Sequence, residues 1–122
     1  MTDQIIYLSH PKNWGLDEKM VINLAKGALS QFGYKKDVEL SLVFVGRKKA
    51  RDLNIKYRQK DYYPQVLGFP MSKEKDADGV IRLGDVVICT QKLKYEVRLT
   101  DKDLTEVLRD WMIHGVENLL KS

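Results

Sequence analysis

Cysteine occurs once in this chain of 122 residues, at Cys89, and histidine twice, at His10 and His114. A lone cysteine excludes an internal disulfide, and its setting, VVICT, reads as a buried, inert thiol. No apolar run approaches the ~20 residues that a membrane helix needs. The first residues, MTDQIIYLSHPKNWG, carry an acid at Asp3 and a run of only four apolar residues, so no signal peptide is expected there. Internal repeats, low-complexity tracts and linkers are absent as well. These absences leave one ordinary domain over residues 1–122, large enough to bury a core without staples, in a reducing cytoplasm and off the membrane. With 43% of residues hydrophobic and 31% charged, long disorder is not expected.

Charge is where the chain departs from the ordinary. The net charge of +4 says little alone, but its distribution is uneven. Arg47, Lys48, Lys49, Arg51, Lys56, Arg58 and Lys60 face a single acid, Asp52, within one short stretch. Such a run is usually just a solvated helix face. Here Tyr57, Tyr62 and Tyr63 flank Arg58 and Lys60. Nucleobases stack on such rings, and phosphates take the charge. The run is therefore a candidate RNA-binding face. Tyr62 and Tyr63 are the candidate stackers, and Tyr57, on the apolar side of its helix, reads as core.

Periodicity places these residues. Residues 5–9 form a first strand, residues 16–34 a helix stopped at Gly33, and residues 37–46 a valine-rich central strand. Residues 47–58 make a short amphipathic helix with Ala50, Leu53 and Tyr57 on one face. Residues 65–71 make a strand that Pro70 keeps at an edge. A polar turn over 72–79 leads into a strand region over 79–90, and residues 91–99 make another short helix. The last helix is expected to start at a Thr100 cap, with Asp103 in the third position of a capping box. Leu104, Val107, Leu108, Trp111, Met112 and Gly115 form its buried stripe, and from Trp111 onward apolar residues lie all round it. Strands and helices mix without strict alternation. The expected class is α+β, a small mixed sheet packed with helices around a buried C-terminal helix.

Three segments together resemble the YbeY family of bacterial endoribonucleases, or rRNA maturation factors. They are NIKYRQKDYYPQVLGFP from Asn54 to Pro70, LGDVVIC from Leu83 to Cys89, and IHGVENLL from Ile113 to Leu120. The family pattern for the first is N-x-x-Y-R-x-K-D-x-P-T-D-V-L-S-F-P. This chain keeps Asn54, Tyr57, Arg58, Lys60, Asp61, Val66, Leu67, Phe69 and Pro70. It carries Tyr63, Pro64 and Gln65 in place of P-T-D, and Gly68 in place of serine. The second element matches throughout, including Gly84 and Asp85. The third departs. The family ends H-G-x-L-H-L-x-G-Y-D-H, whose histidines hold a catalytic zinc. His114 and Gly115 match, Asn118 stands where the second histidine belongs, Glu117 replaces an apolar residue, and the sequence reaches Ser122 before the third.

The resemblance implies the YbeY-like, zincin-like fold, rRNA or the small ribosomal subunit as partner, ribosome-associated proteins as further partners, and a role for Arg58 near the metal. It implies a zinc site of which only the first histidine, His114, is present. An asparagine amide is a poor zinc ligand. Glu117 is a conceivable substitute, since Glu and His three apart share metals in helix bundles. A third ligand would still be missing, and His10 is the only other histidine. No cofactor is expected, or zinc if other ligands complete the site. Read from the residues alone, His114 is a core histidine hydrogen-bonded through one ring nitrogen, with Asn118 as a candidate partner. Arg58 either binds a phosphate or pairs with Asp61 or Asp85. Asp85 either orients His114 or Arg58, or is a turn carboxylate that accepts backbone N–H groups. The expected function is an rRNA maturation factor with an incomplete nuclease site. The alternatives are an active metal-dependent endoribonuclease with a non-standard ligand set or a partner chain, and a protein-binding module that uses the groove of the lost site.

Overall fold

The alternation in VELSLVFV is that of a strand with one covered face, and Val38, Leu40, Leu42 and Phe44 all turn inward from β2 (Val38–Val45). The computed structural model describes residues 3–121 and places β2 inside a mixed sheet of four strands, in the order β1-β2-β4-β3. β1 (Gln4–Ser9) and β4 (Ile81–Cys89) run parallel to β2 on either side. β3 (Val66–Pro70) is an antiparallel edge strand on β4, as Pro70 foretold. The helices are α1 (Glu18–Gln31), α2 (Arg47–Arg58), α3 (Thr90–Thr100) and α4 (Leu104–Leu120). The α+β class therefore holds.

The main core lies between one face of the sheet and two helices. Leu40, Leu42, Phe44, Val86 and Ile88 meet Val21, Ala25 and Leu29 of α1 and Leu108, Met112, Val116 and Leu119 of α4. Each such side chain contributes roughly 1.5–3 kcal/mol by leaving water. α2 packs on β4, and Ala50, Leu67 and Val87 are buried outside that main cluster.

Two glycines set how tightly β3, β4 and α4 join. Gly84 has φ +130° at the point where the β2–β4 register slips by one residue. A Cβ there would run into the carbonyl oxygen of Phe69 on β3. At Gly115 a Cβ would come within 2.6 Å of a Val86 methyl, so α4 crosses β4 at close range only because that position is bare.

One expectation fails at the end of a helix. Thr100 does not cap α4. It closes α3, where its hydroxyl donates back to the Glu96 carbonyl at 2.7 Å, and Asp103 takes the N-cap position of α4 without a side-chain bond. The hydroxyl at an i−4 carbonyl is the competing option that Ser and Thr always have, and here it wins. The last helix is buried on more than one side, as expected, packing on α1, α3, β3 and β4. Trp111, Met112, Gly115 and Val116 are buried, but Asp110 and His114 are exposed.

Candidate nucleic-acid interface

The basic helix ends in a sharp turn. Gln59 takes a left-handed conformation at φ 56°, and the amides of Gln59 and Lys60 donate back to the carbonyls of Ile55 and Asn54. This reversal folds residues 61–64 back along α2. Tyr63 then comes under two guanidinium groups, with Arg47 at 4.8 Å and Arg51 at 5.7 Å from its ring centroid. Arg51 is also fixed by Asp61 at 2.7 Å, a bond that pushes its pKa further up. Arg47, Lys48, Lys49, Lys56, Arg58 and Lys60 have no carboxylate partner among the described residues.

Of the two alternatives for Arg58, the ion pair with Asp61 or Asp85 does not form among the described residues. Asp61 belongs to Arg51, and Arg58 donates through Nη1 to Asn54 Oδ1 at 3.4 Å and to the Tyr62 hydroxyl at 3.3 Å. Asn54 is fully buried, and its Nδ2 donates to the Tyr62 carbonyl at 3.3 Å. Sequence reasoning quoted Asn54 but gave it no role. The available signal was its place one helical turn before Arg58 on a helix of basic and apolar residues.

Tyr57 is not core. It is 54% exposed and meets Phe69 edge-on at 5.4 Å, because α2 covers the sheet through Ala50 and Asn54. Tyr62 and Tyr63 are exposed, as stackers must be. Asp85 sits in mid-strand opposite Ser41 and Phe69, so it is no turn carboxylate. It has no side-chain partner among the described residues.

A cleft of about 620 Å³ opens between this loop and α4. Tyr62, Tyr63, Val66, Asp110, Trp111 and His114 are among its walls. His114 is thus a residue of the cleft and not of the core, and its ring makes no hydrogen bond among the described residues. Asn118, one turn on, is half-buried, and Glu117 pairs with Lys121 at 3.3 Å. His10 lies elsewhere, bonded to the Pro11 carbonyl and to Glu18. A zinc ion asks for three good donors. The set along this stretch of α4, one imidazole, one amide and a carboxylate engaged by lysine, does not fit it. Among the described residues no three His, Cys, Asp or Glu side chains come together to hold a metal.

The family model described as endoribonuclease YbeY matches residues 10–120. The chain belongs to the endoribonuclease YbeY family. That is the family of rRNA maturation which its motifs resemble. The endoribonuclease YbeY of Alkaliphilus metalliredigens is 28% identical over 98% of this chain and 81% of its own length. That of Oceanobacillus iheyensis is 33% identical over 83% of this chain and 70% of its own length. For the Aquifex aeolicus YbeY the figures are 38%, 79% and 62%. A Thermotoga maritima protein solved in solution shares the fold with a TM-score of 0.63, at 21% identity over 94% of this chain and 71% of its own. No helix among the described residues is long and apolar enough to cross a membrane.

Two departures from the YbeY pattern lie against each other in space. A Cβ on Gly68, the position that is serine in the pattern, would stand 3.2 Å from the Cβ of Asn118, where the pattern has histidine. The bare Gly68 lets β3 close onto α4 at Asn118.

Proposed function

We propose that this chain is an rRNA maturation factor of the YbeY type that binds rRNA or the small ribosomal subunit in the cytoplasm. It does so through the basic face of α2 and the cleft beside it, without a zinc-activated water at His114. The observation that carries this reading is the set of cations on α2 without a carboxylate partner among the described residues, running up to a cleft lined by Tyr62 and Tyr63. Phosphates bind the cations and nucleobases stack on the rings. Asn118 supports the second half, because a neutral amide in the second ligand position gives a metal little to hold.

Binding to a structured rRNA fragment should weaken steeply with salt. Lys48→Glu with Lys49→Glu should weaken it about tenfold or more at low salt, nearly independently of sequence, and flatten the salt slope by about 1 per lost contact. RNA binding absent at low salt, or indifferent to that double change, would overturn the reading. So would zinc held at one ion per chain through dialysis and lost on His114→Ala.

A further inference from the structure

An arginine anchored by a carboxylate has its charge answered by that partner. Arg58 is anchored differently. Both acceptors it reaches are neutral, the Asn54 amide oxygen and the Tyr62 hydroxyl, and both are reached from Nη1. A guanidinium has five N–H donors in a fixed fork. With Nη1 occupied, the Nε–Nη2 edge remains, and nothing among the described residues takes it. That edge presents two parallel donors at the spacing of two phosphate oxygens.

Asn54 is the centre of this arrangement. It is the one fully buried polar side chain of α2 and satisfies both ends of its amide locally, with Oδ1 on Arg58 and Nδ2 on the Tyr62 carbonyl. We propose that Asn54 is a positioning residue. It holds Arg58 by one edge and the Tyr62 loop by its backbone, leaving the other edge of the guanidinium fully charged for one phosphate of the bound nucleic acid. The choice of amide over carboxylate is the essential point. Aspartate has nearly the same shape, but it would form an ion pair with Arg58 and remove the charge that the phosphate needs.

This rests on the reading of this face as an RNA-binding one, so the test has an arm that does not need RNA. Three chains are compared: the parent, Asn54→Asp and Asn54→Ala, each checked for folding by its melting curve. In the first arm the Arg58 Nε–H is followed by NMR during titration with inorganic phosphate. The parent should respond, Asn54→Asp should not, and Asn54→Ala should respond more weakly. In the second arm, binding to the rRNA fragment is measured across a salt series. Asn54→Asp should lose about tenfold in affinity and flatten the salt slope by about 0.9, one phosphate contact. Asn54→Ala, which frees the arginine but leaves its charge, should lose less and keep the slope. Arg58→Ala should cost little more once Asn54→Asp is in place. If Asn54→Asp fails to fold, the alanine variant carries both arms.

Absence of RNA binding in the parent, with the phosphate response intact, sinks the function and leaves the positioning role standing. The positioning role is overturned if the parent's Arg58 ignores phosphate. An equal response in parent and variants would also overturn it, as would Arg58→Ala costing the same factor in every background.

Discussion

Arg82 and Arg58 are the same side chain put to opposite uses. On β4, Arg82 is surrounded by acids. Its Nη1 meets Asp76 at 2.7 Å, its Nη2 meets Asp78 at 2.8 Å, and its Nε lies 3.4 Å from Glu39. All three nitrogens are taken, and what they tie together is the polar turn before β4, the strand itself and neighbouring β2. Arg58 touches no carboxylate among the described residues and uses a single nitrogen. Its charge is held in place but not answered. In the proposed reading, neutral anchors mark an arginine kept for an outside anion, and carboxylate anchors mark one spent on the fold. Position in a basic run does not decide between the two uses, since Arg51, in the same run as Arg58, is paired with Asp61.

The largest expected effect comes from the joint that both regions share. Gly84→Ala puts a methyl group against the Phe69 carbonyl on a backbone at φ +130°. The fault would pull β3 from β4, spoiling the cleft wall at Val66 and the strand that carries Arg82. A strained position of this kind with a backbone clash costs about 3 kcal/mol or more. Chemical denaturation should show a correspondingly lower midpoint or no cooperative fold. An unchanged midpoint would mean that the joint tolerates a side chain and does not hold the two regions in register.

The sequence was legible where periodicity or a steric rule acts locally. The inward alternation of β2, the edge strand at Pro70 and the buried stripe of α4 all follow from spacing. The site was less legible because its logic is non-local. His114 sits among apolar neighbours in the chain and so reads as core, yet the loop at Tyr62 and Tyr63 stands off from α4 and leaves it in a cleft. Tyr57 lies on the apolar side of its helix, but there it meets Phe69 of the edge strand edge-on and stays largely exposed. The contact between Gly68 and Asn118 joins two motif departures far apart in the chain, and only the packing of β3 on α4 shows that they are neighbours. Thr100 had two partners within reach of its hydroxyl, and no pattern in the sequence says which is taken.

The smallest expected effect is also the one that sharpens the contrast most. Arg58→Ala should cost about 1 kcal/mol of stability, because the buried Asn54 amide oxygen loses its donor, and weaken RNA binding by about tenfold or more, because a charge-assisted bond to phosphate is lost. Arg82→Ala should instead leave RNA affinity within about twofold and lower the melting temperature modestly, as exposed ion pairs allow. Its signature is pH. The hydrogen bond from Arg82, helped by the Val80 amide, lowers the Asp78 carboxyl from 3.8 to about 2. A carboxylate with a depressed folded pKa stabilises the fold above its unfolded pKa and loses that contribution as pH falls through the folded value. The gap in melting temperature between parent and Arg82→Ala should therefore be full above pH 4 and shrink as pH falls toward 2. Arg58→Ala, with no carboxylate to release, should show no such closing. A gap for Arg82→Ala that stays constant across that window would mean that its three acids contribute nothing to the fold that titration can remove. The distinction drawn between the two arginines would then rest on Arg58 alone.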